Sequence, residues 1–478
     1  MDKQNNQFNI PFSKTNPLAQ SLQEAHFSII IECDTPAGQQ PFEPAVTPAL
    51  NIAREAKKDS DITALAVTDR LTGENAYSPA ALATRIAETA EKPVVVHFSG
   101  KGSTGERLSQ ELADAASGEV QNLLAVTGDR SVDHPIRHGL TKYPAYKPGY
   151  LDSIEIIRKT RESDFKFHIG AGVNPYKYNA ADQYLQYYKM MRKIATGAQF
   201  IVTHIGWDMK KLQELQWFLQ MRECGVPVLA RTALLSSRQI KDNGEEPYPG
   251  ITLSRPFAAL LERECNINEN QLLAAQLQRL GLQVAGCRLL GYSGIQIAGI
   301  NNEQTLGMVM RRIRENLKRF TSYSDWLTAW QEFHGEIQFA PRGNSAFYAF
   351  TNLLDPEVQM YSPELSHSAY SPFPTPEFRD ILRSRLLSFT GSRAIPRLLH
   401  NACISIYCRG CIHKNECNKI YTFHLCPRAC PKHLVYGPCG GSKPDGICEF
   451  GHRECFFHRV LAVAARKHAL DLLEEGIQ

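Results

Sequence analysis

Eight short apolar runs, each followed by a segment with helical spacing, constrain the fold more than any other feature of the chain. The runs are 27–32, 64–69, 93–98, 122–129, 165–173, 200–208, 226–233 and 294–300. Near-continuous apolar runs of this length are typical of strands that are buried on both faces of a parallel sheet. Eight consecutive strand–helix units predict an α/β fold, a (β/α)8 barrel of the TIM type. A doubly wound open sheet is disfavoured because no GxGxxG motif follows the first run.

The polar residues that end these runs are the candidates for function, because such a barrel places its active site at the carboxyl ends of its strands. They are Glu32, Thr68, Asp69, His97, Asp129, Asn174, His204, Asp208, Arg231, Thr232 and Gln296. We therefore expect any catalytic or ligand-binding group of the barrel among them.

The length of the chain predicts two folded units. A single core stops growing at about 250–300 residues, and the chain has 478. We divide it into a polar leader (1–24), a barrel (25–320), a helical or irregular connector (321–400) and a small cysteine-rich domain (401–478). A closing helix is expected near the end of the last unit, over 459–476.

Nine of the thirteen cysteines fall between Cys403 and Cys455. Cysteines spaced a few residues apart near Gly and Pro turns can bring several thiolates to one metal centre. The candidate ligands, with Cys403 in reserve, are Cys408, Cys411, Cys417, Cys426, Cys430, Cys439, Cys448 and Cys455. Eight thiolates suffice for two four-ligand centres, and their spacing is compatible with Zn²⁺, with a [4Fe–4S] cluster or with one of each.

The amino-terminal stretch has neither a basic region nor an apolar run of signal-peptide type, and no run of about 18 apolar residues occurs later. These features predict a cytoplasmic protein without a membrane span, in which thiols stay reduced and hold metal rather than form disulfides. The net charge of +4 is too small to indicate nucleic-acid binding by itself. The excess of basic residues falls in the cysteine-rich stretch, whose basic face could attract an acidic redox protein or a nucleic acid.

Several motifs carry a family resemblance. IIIECDTPAG at the first run, LAVTDR at the second, LLAVTGDR at the fourth and THIGWD at the sixth resemble methylenetetrahydrofolate reductase, a flavin-dependent barrel. The tail CPRACPKHLVYGPCGG, followed by DGIC, resembles the C-terminal cysteine-rich module that some members of that family carry or borrow as a separate subunit. The matches cover about residues 25–320 and 400–458, and residues 320–400 resemble nothing we can assign.

The resemblance implies reduction of 5,10-methylenetetrahydrofolate to 5-methyltetrahydrofolate by hydride from a reduced flavin, FAD or FMN. Glu32 corresponds to the family acid that protonates the departing nitrogen, and we expect desolvation to keep its carboxyl protonated. The alternative is that Glu32 pairs with an arginine of a loop. Asp129 corresponds to the aspartate that faces both flavin and folate; an Asx turn is the alternative.

The remaining site residues follow from the same resemblance. Thr68, His97, Thr127 and Gly128 correspond to positions beside the flavin, and Lys193 to a lysine near its phosphates. Two positions depart from the family pattern. Asn174 stands where an aromatic residue is common beside the flavin, and His204 stands where glutamine commonly holds the pterin.

The electron donor is left open between two classes. A cluster in the cysteine-rich domain would relay electrons from a ferredoxin-like carrier, whereas NADH or NADPH would deliver hydride at the barrel mouth directly. Two other functions remain as alternatives: a non-enzymatic, zinc-containing binding protein on a barrel scaffold, and a folate-dependent barrel methyltransferase. The oligomeric state is open as well, with a homo-oligomer among the options.

Overall fold

The structure is a computed structural model of the chain. It describes residues 12–36, 38, 41–69, 77–130, 150–243, 251, 253–341, 343–357, 361–366, 373–390, 419–451 and 453–477.

Eight parallel strands close into a barrel in sequence order, which confirms the predicted fold class. The strands are β1 Ser28–Cys33, β2 Ile62–Val67, β3 Val94–Ser99, β4 Asn122–Val126, β5 His168–Val173, β6 Phe200–Ile205, β7 Val228–Ala233 and β8 Gly294–Ala298. Closure is made by β8, which pairs with β1 in parallel from Ser28 opposite Gly294 to Ile31 opposite Ile297. Almost every strand residue is buried, as expected of a sheet that is covered on both faces.

Helices alternate with the strands and form the outer layer. They are α1 Pro17–Gln23, α2 Phe42–Lys58, α3 Pro79–Ala90, α4 Gly105–Ser117, α5 Ser153–Arg161, α6 Ala180–Thr196, α7 Met209–Met221, α8 Ser237–Asn243, α9 Arg255–Ile267, α10 Glu269–Leu289, α11 Glu303–Arg319, α12 Tyr323–His334, α13 Phe378–Thr390 and α14 Phe456–Arg466. Most begin at a side chain that accepts a hydrogen bond from the first turn, such as Asn179 for α6 and Asp208 for α7.

The amino-terminal end of the barrel is closed by α1. Leu18 and Leu22 of this helix pack against Ile30, Leu124 and Phe200 inside the barrel. The helix starts where Asn16 accepts a hydrogen bond from the Ala19 amide at 3.2 Å, with Pro17 in its first turn. With an apolar plug at this end, the polar groups of the interior gather at the opposite end, the barrel mouth.

The described part of the carboxyl-terminal region, residues 419–477, is called the C-terminal module below. It consists of irregular chain with short 3-10 turns, followed by α14, and it packs on α6 of the barrel. An apolar cluster joins the two: Leu185 and Tyr188 of α6 contact the group formed by Leu434, Phe457 and Leu461. The closing helix is shorter than predicted, since α14 ends at Arg466 and His468 adopts a left-handed backbone with φ of 52°.

No helix in the described ranges combines the length and the apolarity that crossing a membrane requires.

Candidate active site

Glu32, near the end of β1, is the most tightly held group at the barrel mouth. Its side chain is 1% exposed. Arg231 of β7 donates through Nε to Oε2 at 2.7 Å and through Nη2 to Oε1, a bidentate ion pair. Gln296 of β8 donates to the same Oε2 at 2.5 Å. All three side chains therefore form one hydrogen-bonded group across β7, β8 and β1.

This group holds Glu32 ionised. Burial raises the pKa of the carboxyl, but the charge and hydrogen bonds of Arg231, with smaller contributions from His97 and Gln296, keep it below its ordinary value. The expectation of a protonated Glu32 thus differs from the structure, in which Glu32 pairs with an arginine as in the alternative, but with one on strand β7 and not on a loop. The catalytic assignment of Glu32 stays a prediction.

His97 of β3 joins the same group from the other side. Its Nε2 lies 3.2 Å from the Gln296 side-chain nitrogen, so that the ring nitrogen accepts the amide hydrogen. Burial lowers the pKa of His97 to about 4, and the ring is neutral at neutral pH. The other end of the amide, Gln296 Oε1, is buried without a hydrogen-bond partner among the described residues. A buried acceptor without a partner is costly unless a ligand or water satisfies it.

At the end of β2, Thr68 forms hydrogen bonds with the loop that follows β1. Its hydroxyl accepts the Thr35 amide hydrogen at 3.2 Å and donates to Asp34 Oδ1 at 3.3 Å. The next residue, Asp69, accepts the Ser99 amide hydrogen at 2.8 Å, which ties the end of β2 to the end of β3. Asp34 itself is exposed at the mouth.

The end of β4 brings Thr127, Gly128 and Asp129 to the mouth. Thr127 donates to the Ser153 hydroxyl at 3.2 Å. Gly128 has a φ of +82°, and an added Cβ would lie 2.4 Å from Ser99 Oγ, so only glycine fits this turn. Asp129 is partly exposed, with Oδ1 3.7 Å from the Lys101 ammonium.

The C-terminal module meets the barrel at this point. Lys432 donates to the Gly128 carbonyl at 2.7 Å and forms an ion pair with Glu449 at 2.6 Å. Glu449 in turn accepts the Arg130 amide hydrogen at 3.0 Å. The backbone on both sides of Asp129 is therefore held by a lysine and a glutamate of the module.

A second set of contacts joins the module to the end of β5. Asn174 donates to the Gly440 carbonyl at 3.1 Å, and Lys177 donates to the Ser442 carbonyl at 2.5 Å. Asn174 also accepts the Tyr176 amide hydrogen at 3.1 Å, which shapes the loop after β5. At this rim the GPCGGS stretch of the module forms part of the wall of the mouth.

Lys193 and His204 lie between these two sides. Lys193 donates to the Gly172 carbonyl of β5 at 2.5 Å, and burial together with nearby Lys189 lowers its pKa to about 7. Burial lowers the pKa of His204 to about 3, with further contributions from a set of cations. Those cations are Arg231, Lys177, Lys193 and Lys432. The His204 ring is therefore neutral and surrounded by positive charge, and it makes no hydrogen bond to the described residues, whereas the His204 backbone carbonyl accepts one from the Thr203 hydroxyl at 2.9 Å.

A narrow cleft adjoins the mouth beyond the ends of β5 and β6, with a cavity volume of about 40 Å³. Aromatic side chains line much of it, and the module contributes Ser442 and Pro444. Lys177 and Asp208 are its charged groups.

The cysteines do not form a metal site within the described residues. Cys408, Cys411 and Cys417, with Cys403, lie outside those residues. Around Cys426, Cys430, Cys439, Cys448 and Cys455, no three His, Cys, Asp or Glu side chains are placed to hold a metal ion. Cys439 instead lies 3.2 Å from Glu449 Oε1 and donates its thiol hydrogen to it. Burial raises the pKa of Cys430 to about 11 and that of Cys448 to about 12, so these thiols are protonated. The predicted metal centre stays a prediction.

The predicted residues of the barrel thus converge at one mouth, from seven different elements. Sequence reasoning placed Arg231 and Gln296 at strand ends but did not foresee that they hold Glu32. It overlooked Asp34, which strand alternation could have identified because residues two apart face the same side. It also missed Lys101, Lys432 and Glu449, and no local pattern marks Lys432 or Glu449 as groups that reach the barrel.

Two family models match the chain. The one described as methylenetetrahydrofolate reductase matches residues 18–240, and the one described as methylene-tetrahydrofolate reductase C terminal matches residues 397–478. Together they cover more than half of the chain. No curated protein matches it.

Two solved structures match part of the chain, each with a TM-score below 0.5. An uncharacterised protein from Clostridium thermocellum, described as binding two copies of 5-methyl-5,6,7,8-tetrahydrofolic acid, is 12% identical with a TM-score of 0.47; the match covers 63% of this chain and 99% of that one. Thiamine phosphate pyrophosphorylase from Pyrococcus furiosus is 11% identical with a TM-score of 0.31, over 63% of this chain and 99% of that one.

Proposed function

Because this chain belongs to the methylenetetrahydrofolate reductase family, we propose that it reduces 5,10-methylenetetrahydrofolate to 5-methyltetrahydrofolate with a bound flavin. The observation that carries the proposal is the group formed by Glu32, Arg231, Gln296 and His97 at the barrel mouth. It combines a fixed anion, a neutral imidazole and an unsatisfied acceptor in one concave site. The reaction belongs to cytoplasmic one-carbon metabolism in this proposal.

The residues at the mouth fit a flavin. Gln296 Oε1 is a buried acceptor without a partner among the described residues, so it could accept a hydrogen bond from the flavin. The ring nitrogens of His204 are available to a ligand as well. Of the cations around His204, Lys177 and Lys193 make no ion pair with a described residue and suit the phosphate of FMN or the diphosphate of FAD. Thr68, His97, Thr127, Gly128, Asn174 and Lys193 would line the cofactor. When bound and reduced, the flavin supplies the hydride.

The chain's own residues position the folate. Asp129, paired with Lys101, presents one carboxylate to the pterin. Neutral His204 can donate one hydrogen bond and accept another, which replaces part of what a glutamine amide would offer. Glu32, fixed by Arg231, places a negative charge where a cationic, ring-opened folate would form.

The C-terminal module would complete the rim at β4 and β5. Its described cysteines are not placed to hold a metal ion. A [4Fe–4S] cluster or Zn²⁺ would need ligands from Cys408, Cys411 or Cys417, outside the described residues. The electron donor in this proposal is NAD(P)H or a ferredoxin-like carrier.

Anaerobic purification of the full chain, with an absorption spectrum, cofactor extraction and iron and zinc analysis, tests the cofactor assignment. We expect bound flavin. Reduced enzyme mixed with methylenetetrahydrofolate should then return to the oxidised flavin spectrum, and 5-methyltetrahydrofolate should form. A protein that binds neither FAD nor FMN, or whose reduced flavin does not react with the folate, would overturn the proposal.

A further inference from the structure

Asp129 lies between two residues whose backbone groups bond to the C-terminal module. Lys432 of the module donates to the Gly128 carbonyl at 2.7 Å, and Glu449 of the module accepts the Arg130 amide hydrogen at 3.0 Å. These module residues lie 304 and 319 positions farther along the chain than their partners. Docking of the module therefore fixes the backbone that carries the Asp129 side chain.

The Asp129 carboxylate itself is held less firmly. Its side chain is 25% exposed, and Oδ1 lies 3.7 Å from the Lys101 ammonium, which is longer than a hydrogen bond. No hydrogen bond joins the carboxylate to the residues that the structure describes. The position of the carboxylate in the mouth therefore depends mainly on the backbone of residues 128–130.

Tyr150 of the barrel adds a third contact to the same stretch. Its hydroxyl donates to the Asp129 carbonyl at 2.9 Å, and Tyr150 pairs with Lys101 through an antiparallel bridge. Lys432 Nζ lies 4.9 Å from the centre of the Tyr150 ring and 5.6 Å from that of Phe450, within the range of cation–π contacts. The two rings also pack edge to face, with 6.4 Å between their centres. Side chains of the barrel and of the module thus surround Lys432 together.

Lys432 can move little without moving Gly128. Its side chain is 1% exposed, and its ammonium lies 2.6 Å from Glu449 Oε1. A buried ammonium is costly unless it is paired and hydrogen-bonded, and here Glu449 and the Gly128 carbonyl meet that need. Loss of either partner would leave a buried charge incompletely satisfied, so the contact favours one arrangement of the module on the barrel.

We propose that Lys432 and Glu449 are positioning residues for Asp129, and that the docked module thereby sets the affinity of the mouth for the folate. The inference rests on the proposed function, in which the Asp129 carboxylate faces the pterin. Hydrogen bonds from ring N–H groups to a carboxylate are about 2.7–2.9 Å long and weaken steeply when their geometry is disturbed. Because the carboxylate has only one weak contact of its own, it keeps that geometry only while its backbone is held. By linkage, a folate that prefers the docked arrangement must stabilise the docking in return.

Calorimetric titration of the purified full chain with 5-methyltetrahydrofolate tests this inference without turnover. Lys432→Met removes the donor and the charge but keeps most of the side-chain length. We expect it to raise the Kd about tenfold, the equivalent of one hydrogen bond to a charged group. Asp129→Ala removes the carboxylate that is positioned and should raise the Kd by at least the same factor. Lys443→Met, which changes an exposed lysine of the module, should bind like the wild type.

The variant that combines Lys432→Met with Asp129→Ala separates positioning from simple attachment of the module. If Lys432 acts through Asp129, its change should alter the Kd less than about twofold once the carboxylate is absent, because coupled residues are not additive. If Lys432 only attaches the module to the barrel, its effect should be the same with and without Asp129. A combined variant that binds about tenfold more weakly than Asp129→Ala would therefore overturn the inference.

Two milder variants keep the test decisive if thermal unfolding shows that Lys432→Met does not fold. Glu449→Gln removes the charge that pairs with Lys432, and Tyr150→Phe removes only the hydroxyl that bonds to the Asp129 carbonyl. Each should raise the Kd about two- to tenfold, as expected for the loss of one hydrogen bond, and neither should do so in the Asp129→Ala background. An unchanged Kd in both would overturn the inference.

The same titration separates the inference from the function on which it rests. A wild type that neither binds 5-methyltetrahydrofolate nor reduces methylenetetrahydrofolate overturns both. A wild type that does both, with a Kd that a folded Lys432→Met leaves unchanged, overturns the inference alone.

Discussion

The two sides of the barrel mouth are completed by different parts of the molecule. On the side of β7, β8 and β1, Arg231 and Gln296 hold Glu32, and every partner belongs to the barrel. On the side of β4 and β5, the partners of Gly128 and Asn174 belong to the C-terminal module. The first side is therefore built once the barrel closes, whereas the second side also requires that the module dock.

The two sides differ in what their contacts hold: a buried charge on the barrel side and mainly backbone groups on the module side. On the barrel side, the buried charge of Glu32 is paired with groups on nearby strands. The register of the sheet therefore fixes the geometry of this pair. The module side holds mainly backbone groups, and the ion pair of Lys432 with Glu449 lies within the module. We expect changes on the first side to alter stability and proton chemistry, and changes on the second to alter the rim around Asp129.

Arg231→Met should have the largest effect on stability. It leaves Glu32 buried without its cation, and removal of one partner of a buried ion pair costs about 3–5 kcal/mol. In the wild type the pKa of Glu32 lies below its ordinary value of 4.5, so the pair stabilises the fold above that pH and its contribution is lost as the pH falls. In the variant burial, which raises this pKa, is opposed only by the smaller effects of His97 and Gln296, so the deficit should shrink on acidification. Denaturant unfolding at neutral and mildly acidic pH measures both effects.

Arg314→Met is the matched control. Arg314 also pairs with carboxylates, Asp59 and Asp61, but its side chain is 48% exposed. Exposed pairs contribute about 0–1 kcal/mol. Equal losses in the two variants would show that Glu32 is not buried with Arg231 as the structure has it.

Lys432→Met should have a smaller effect that is confined to the module side. The variant removes the ion pair with Glu449 and the hydrogen bond to Gly128, but Glu449 keeps the Arg130 amide and the Cys439 thiol as donors. We expect a loss of about 2–3 kcal/mol, typical of hydrogen bonds to charged groups. Hydrogen exchange should increase at the Arg130 amide and leave the centres of β1 and β8 unchanged.

Lys443→Met provides the comparison on the same module, since Lys443 is exposed. It should leave exchange at Arg130 as in the wild type. Faster exchange throughout the barrel in Lys432→Met would contradict the separation of the two sides, because it would mean that the module supports the whole barrel.

The sequence predicted more of the barrel side than of the module side. The reason is how far apart along the chain the contacting residues lie. The period of apolar residues is local, so it predicted the strands and placed Glu32, Thr68, His97 and Asp129 at their ends. The charge state of Glu32 depends on Arg231, 199 residues away, and on a register that no local pattern gives. Lys432 reaches Gly128 across 304 residues through a docking of two units, which periodicity does not encode.

The pKa of His204 depends on residues of both sides of the mouth. Its titration should give the smallest change in stability among these predictions. Burial lowers its pKa to about 3, with contributions from Arg231 on the barrel side and from Lys432 on the module side. A depressed histidine pKa means that the unfolded chain binds the proton first, so the wild type should lose stability as the pH falls below the ordinary value of 6.5.

His204→Gln should remove that loss, which amounts to about 1.4 kcal/mol one pH unit below the ordinary value. Denaturant unfolding at pH values above and below 6.5 measures it, and exposed His26→Gln serves as the control. In Arg231→Met and Lys432→Met backgrounds the advantage of His204→Gln should shrink as the pH approaches the folded-state pKa of His204, more in the first because Arg231 contributes more than Lys432. An advantage that is unchanged in both would mean that burial alone sets this pKa, and that the two sides of the mouth do not share an electrostatic field at His204.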